Sequence, residues 1–345
     1  MKRTSLFIFW SFLSLVSWSL TACEKEEPLY PQPQVPAGLQ TREFAMGENY
    51  ENQIWFHFGS QTGSSNAFGL WDIAFACDSK PHLIINGGKN QAFSLASFPN
   101  LEYGQVDQDQ LTNANWAIDV LNGNQDSLAF GDPFQYESPG HYSAQSAVYV
   151  LDRGDDSLGT QRYIKIQLTG YRAGVYSFRW GYLQETTPRF TTYMKVNEEK
   201  NYVYYSFAKK NDVQNEPLHK SAWDIVFTTY KEPVPEPGTG ILYPYVLRGV
   251  LINPTHLQVC EVGPETPFEA MNLDKAKSLN FSRKLNEIGY DWKAYDQGTN
   301  QYTIVPNKYF VIRDVTGNYF KIKFVSFYND QGIKGFPKMA WEYLK

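Results

Sequence analysis

The sequence predicts an all-β protein made of two antiparallel β domains in tandem, and three observations predict it. The pentad Trp71-Asp-Ile-Ala-Phe75 returns as Trp223-Asp-Ile-Val-Phe227, each a short apolar run entered at an Asp, as a largely buried strand would be. The flanking blocks return in the same order, so the period is that of a duplicated domain rather than a short solenoid repeat. Aromatic residues make up 16% of the chain and fall in alternating runs, which suits strands better than helices.

Taken from the N-terminus, Met1-Lys-Arg3 precedes an apolar stretch from Leu6 to Leu20, and Leu20-Thr-Ala-Cys23 follows. A basic start, an apolar run and small residues at the cut describe a secretory signal over 1–22. Cys directly after Leu-Thr-Ala follows the lipobox pattern, so Cys23 is the expected lipidated residue, with the chain anchored to a membrane through lipid and not through a span. Residues 23–38 carry Glu-Lys-Glu-Glu and then Pro28, Pro31, Pro33 and Pro36, a disordered tether stiffened by proline. The acidic patch after Cys23 resembles a signal that sends some Gram-negative lipoproteins to the outer cell surface.

The first domain is expected over 39–185. Ile54–Phe58 reads as a strand, 59–69 as a loop, and the Trp71 strand follows. Asn86-Gly-Gly88 supplies positive-φ residues for a corner. Segments 146–151, 163–168 and 175–183 read as a closing meander. The second domain, over 186–345, repeats this pattern with one long insertion. Lys231–Gly240, carrying Pro233, Pro235 and Pro237, reads as an exposed extended loop. Pro264–Lys277 is expected to hold a short helix. Strands at 302–305, 309–314, 319–327 and 339–344 end the chain.

A net charge of −5 with scattered Lys and Arg argues against a nucleic-acid partner. No Gly-x-Ser-x-Gly, His-Glu-x-x-His, Walker or dinucleotide motif occurs, so no enzyme is expected. Asp72 and Asp224 lack a recurring second acid or His, and are expected to bond backbone N–H groups at a strand start. His57, His82, His141 and His219 show no ligand spacing. Cys77 and Cys260 are expected as separate thiols, although a disulfide between the copies is open from sequence.

Ile288-Gly-Tyr-Asp-Trp-Lys293, Tyr309-Phe-Val-Ile-Arg-Asp-Val-Thr-Gly-Asn-Tyr-Phe-Lys-Ile-Lys-Phe324 and Phe327-Tyr-Asn-Asp-Gln-Gly-Ile-Lys-Gly-Phe-Pro337 resemble the C-terminal half of HmuY-like lipoproteins. The Trp-Asp-Ile-Ala-Phe and Asn-Gly-Gly elements resemble that family's N-terminal half. The resemblance implies an all-β, lipid-tethered outer-membrane protein, exposed at the cell surface, that binds haem or a related porphyrin and passes it to an uptake receptor. A tandem copy departs from the one-domain pattern. Where the resemblance implies an axial His, this chain has Tyr295, with an equivalent near Gln135 in the first copy; His256 and Met271 are the other candidate iron ligands. Tyr and Met both ligate haem iron. The other open reading is a surface adhesion module that uses Trp and Tyr on glycans or a protein partner.

Overall fold

The computed structural model describes residues 38–236 and 238–345; the signal peptide, Cys23 and all but the last residue of the tether lie outside these. Strands in the first half are β1 (Gln40–Glu43), β2 (Asn52–His57), β3 (Thr62–Ala67), β4 (Ile73–Ala76), β5 (Leu83–Ile85), β6 (Ser94–Pro99), β7 (Trp116–Ala117), β8 (Phe134–Ser138), β9 (His141–Ala144), β10 (Ala147–Asp152), β11 (Tyr163–Arg172) and β12 (Val175–Tyr182). The second half continues with β13 (Phe190–Lys195), β14 (Tyr202–Ser206), β15 (Asn211–Val213), β16 (Ile225–Pro235), β17 (Leu242–Ile252), β18 (Leu257–Val262), β19 (Lys293–Asp296), β20 (Gln301–Ile304), β21 (Tyr309–Asp314), β22 (Tyr319–Tyr328) and β23 (Lys334–Leu344). Two short helices, α1 (Gln108–Leu111) and α2 (Leu273–Lys277), occupy matching places. The fold is all-β and antiparallel, and α2 falls inside the segment where a helix is expected.

The two halves repeat one topology. In the first, a large sheet runs β13-β12-β11-β10-β6 and a small one runs β15-β14-β4-β5. In the second, the large sheet runs β1-β23-β22-β21-β18 and the small one runs β3-β2-β16-β17. Each of these four sheets draws strands from both sides of 185/186 in the sequence. β1–β3 pair with the second half's strands, and β13–β15 pair with the first half's. Val226 sits opposite Trp55 in one small sheet, and Ala74 opposite Tyr204 in the other.

Each half buries one core between its two sheets. The first brings together Phe75, Leu151, Ile166, Phe178 and Trp180 with Tyr205 and Phe207 from beyond the boundary. The second brings together Phe227, Ile312, Phe320, Ile322 and Trp341 with Ile54, Phe56 and Phe58 from the chain's beginning. Large aromatic side chains each contribute roughly 2–3 kcal/mol when fully buried, so neither core is complete without the strands it borrows. Edge contacts repeat the exchange: the Trp55 and Trp223 rings meet at 4.7 Å, and those of Trp71 and Tyr204 at 5.1 Å.

A buried lysine secures the helical turn beside each large sheet. Lys165 Nζ donates to the carbonyls of Tyr103 and Val106 at 3.0 and 2.9 Å. Lys321 Nζ donates to those of Phe268 and Met271 at 3.1 and 3.4 Å. Carbonyl bonds of this kind offset the cost of taking an ammonium out of water.

The first part of the Pro-rich stretch, 231–235, is a strand, contrary to the expected exposed loop, while 238–240 are exposed beyond it and Pro237 lies outside the described residues. β16 runs on to Pro235, with Pro233 opposite Pro244, and Lys231 and Glu232 are buried. A pair in which neither residue has an N–H can occupy a non-hydrogen-bonded position of the ladder without loss. Beyond Phe227, β16 has left β2 behind and pairs with β17 alone. The prolines therefore stiffen a projecting hairpin. Cys77 and Cys260 are free thiols. No helix among the described residues is long and apolar enough to cross a membrane.

Candidate functional site

The projecting β16–β17 hairpin and the small β19–β20 hairpin enclose a cleft of about 600 Å³. Its position follows from a close backbone approach. A Cβ on Gly249 would lie 2.4 Å from the Gly289 carbonyl oxygen, so only glycine lets the 284–289 segment lie on β17. Val250 N then donates to Gly289 O at 2.9 Å, which sets Tyr290 and β19 beside the hairpin.

Five tyrosines line the cleft: Tyr243, Tyr245, Tyr290, Tyr295 and Tyr302. The rings of Tyr243 and Tyr245 are 5.8 Å apart, and those of Tyr295 and Tyr302 are 5.0 Å apart. Tyr295 is half exposed, and its hydroxyl donates to Asn300 Oδ1 at 3.0 Å. Burial pushes the Tyr290 and Tyr302 hydroxyls above the ordinary phenol range.

Three cations belong to the same cleft: Arg248, Lys293 and Lys334. Arg248 lies over the Tyr50 ring at 4.6 Å, and its Nη1 donates to Val246 O. Arg248 Nε is buried with no hydrogen-bond partner among the described residues. Lys293 is buried, donates to the carbonyls of Arg248 at 2.5 Å and Tyr290 at 3.4 Å, and lies over Trp292 at 4.4 Å and Phe327 at 4.8 Å. Its burial first, and the Arg248 charge second, push its amine down to about 7. Among the described residues no carboxylate lies within 4.0 Å of any of the three. An aromatic-walled space over unneutralised cations is suited to a flat anion.

The three candidate iron ligands do not converge. Tyr295 is in this cleft. His256 lines a separate groove of about 430 Å³ with Arg283, Arg313 and Asp314, and burial lowers its basicity. Met271 is buried in a satellite core with Phe268, Ala276, Tyr309 and Val311 and lines neither cavity. The other histidines stay apart as well: His57 Nε2 is 3.9 Å from Asp224, and His82 Nε2 is 3.3 Å from the Tyr202 hydroxyl. A larger groove of about 1140 Å³ beside Cys77 mixes Lys195, Lys200 and Lys220 with Asp78, Glu198 and Asp212, with Tyr171 as the one aromatic side chain in its lining.

The first half is built differently at the corresponding place. Its β4 and β5 have four and three residues where β16 and β17 have eleven each. Its hairpin β8–β9 is sealed onto β11, whereas β19 and β20 pair only with each other. Tyr136 faces Tyr142 across that hairpin as Tyr295 faces Tyr302, so the counterpart of Tyr295 is Tyr136, one residue beyond Gln135.

Residues 259–341 match the family described as HmuY protein. Over that segment the chain is HmuY-like. The HmuY segment runs from β18 through most of β23 and contains α2, Lys293, Tyr295, Tyr302 and Lys334, while Arg248, Tyr243 and Tyr245 precede it. Among solved structures, apo PinO from Porphyromonas gingivitis is 10% identical, with 90% of this chain and 99% of that one covered and a TM-score of 0.26. The apo HmuY analog of Tannerella forsythia is 9% identical, with 90% and 97% covered and a TM-score of 0.26. No curated protein matches the chain.

Of the residues that line this cleft, the sequence singled out Tyr295 and not Lys293, Arg248, Tyr243 or Tyr245. The signal was present for one of them: aligning the two hairpins on their facing tyrosines sets Lys293 against Phe134.

Proposed function

We propose that this chain binds haem or a related porphyrin in the cleft between the β16–β17 and β19–β20 hairpins. The observation that carries the reading is a tyrosine-walled space of about 600 Å³ above cations that have no carboxylate partner. That volume lies within the range of small-molecule pockets, and the walls offer ring faces to a flat macrocycle. The buried, unpartnered Arg248 Nε fits a carboxylate-bearing ligand. When bound, the macrocycle would bring an iron that a tyrosine can ligate as phenolate, and Tyr295 is the side chain for that role. The match of residues 259–341 to the HmuY family supports the same reading.

The chain works, on this proposal, as a binding protein rather than an enzyme. It is held to the outer membrane by lipid on Cys23, exposed at the cell surface, and it hands its ligand to an uptake receptor. Ile241 and Leu242, both about two-thirds exposed at the turn of the β16–β17 hairpin, are placed to meet such a partner. The same two exposed side chains favour the second reading, a surface module that grips a protein or glycan without haem.

Titration of the purified protein with haemin tests the choice. A saturable Soret shift that Tyr295→Phe alters supports the haem reading. A spectrum that stays that of free haemin, with saturable binding on a glycan or protein array, supports the other.

A further inference from the structure

We propose that Lys293 and Arg248 determine specificity in the cleft by binding a carboxylate of the ligand, so that the site selects anionic planar ligands over uncharged ones of the same shape. The inference rests on the porphyrin reading and adds which chemical group of the ligand is recognised.

β8 opens with Phe134, which is buried against Tyr176 in the first core. β19 opens with Lys293, buried to a similar degree at the corresponding hairpin position. A Phe therefore satisfies the fold at this place, and a buried lysine is a costly replacement that packing does not require. Where the hairpin is paired onto β11, the first half has the Phe; where the hairpin stands beside the cleft, the second half has the Lys.

The geometry gives the amine a task. An ammonium has three N–H donors, and the carbonyls of Arg248 and Tyr290 take two. Arg248, on the facing strand, keeps a buried Nε with no acceptor. The charged and titratable groups facing Lys293 are Arg248 on β17, Asp291 before β19, and Tyr302 on β20; Asp291 is already held by Lys308 at 2.7 Å. An incoming carboxylate supplies the acceptor and the negative charge that this pair lacks, and it favours the protonated amine that burial disfavours.

Haemin and its dimethyl ester, which share a ring and an iron and differ in carboxylate charge, provide the test. Both are titrated in one detergent buffer by quenching of tryptophan fluorescence. The wild-type chain should bind the diacid at least about tenfold more tightly, the scale of one charge-assisted hydrogen bond. Lys293→Phe, which installs the first half's residue, and Arg248→Gln should each reduce that preference to threefold or less, with melting temperatures showing that both variants fold. Equal binding of acid and ester by the wild type, or a preference that survives in both variants, overturns the inference. Failure of both ligands to bind saturably is a different result: it removes the porphyrin reading first and the inference with it.

Discussion

Asp224 accepts the backbone N–H of Phe58 at 2.7 Å, across 166 residues of chain. Asp72 does the same for Phe207 at 2.7 Å. The repeated Trp-Asp strand thus ends at a clasp on the strand borrowed from the other half. The two clasps differ in their neighbours. Asp72 has Lys89 at 2.8 Å and Arg153 at 3.5 Å, whereas Asp224 has His57 at 3.9 Å. Asn86 and Asn253 reinforce the same corner in each half, donating to the carbonyls of Trp71 and Trp223.

Removing the Asp224 carboxylate should loosen the N-terminal strands. Asp224→Ala leaves the Phe58 N–H buried without an acceptor, a loss of about 1–3 kcal/mol. Asp224→Asn keeps an oxygen at that place and should cost less. Urea denaturation of the two variants measures the difference, and equal midpoints would remove the clasp from the account of stability.

Stability should rise as pH falls from 7.5 to 5. Burial pushes Asp224 up to about 6, and Asp119 and Glu216 up to about 7. Each folded value lies above the ordinary carboxylate value, so the folded chain holds these protons more tightly than the unfolded one. Their stabilising effect is complete below the ordinary values near 4 and is lost as pH rises through 6–7. Lys293 and Lys231, pushed down by burial to about 7 and 8, act with pH above this window. Melting temperature against pH should therefore slope upward toward acid, with a shallower slope in Asp224→Asn. A flat or inverted profile contradicts the assignment.

The fold was legible in the sequence where period-2 patterning is local. Trp71–Phe75 and Trp223–Phe227 announce themselves as strands, and the expectation that Asp72 and Asp224 bond backbone N–H groups is what the clasps show. Which strand pairs with which is another matter. β2 and β14 carry the same pattern, so either suits either small sheet, and the choice is made by chain connection and core packing. The site was less legible. Prolines at 233 and 235 argued against regular structure because the sequence does not show that Pro244 sits opposite. Lys293 reads as a solvated lysine until its hairpin is set beside Phe134.

The chain should bind one macrocycle, not two. Only the second half extends β16 and β17 past the sheet and leaves β19–β20 standing free. A Soret titration should break at about one equivalent, the consequence of a single site. Tyr136→Phe should leave the titration unchanged, and Tyr295→Phe should alter it. A break at two equivalents would mean that the first half binds despite its sealed hairpin.

The oxidation state of the iron should govern affinity. The cleft lining contains no His, Cys or Met, and its donors toward iron are phenols and the amines of Lys293 and Lys334. A phenolate is a hard, anionic ligand; it stabilises Fe(III) and holds Fe(II) poorly, the reverse of a thioether. Ferric haem should therefore bind at least about tenfold more tightly than haem reduced with dithionite, which corresponds to about 1.4 kcal/mol in favour of the oxidised form. Reduction of the loaded protein should release the ligand, read as a return to the free ferrous spectrum under anaerobic conditions. Tyr295→Phe should bring the two affinities together. If the wild type holds both states equally, the iron has no tyrosinate ligand; the ring walls and the cations then account for whatever binding remains, and metal-free protoporphyrin should bind as tightly as haem.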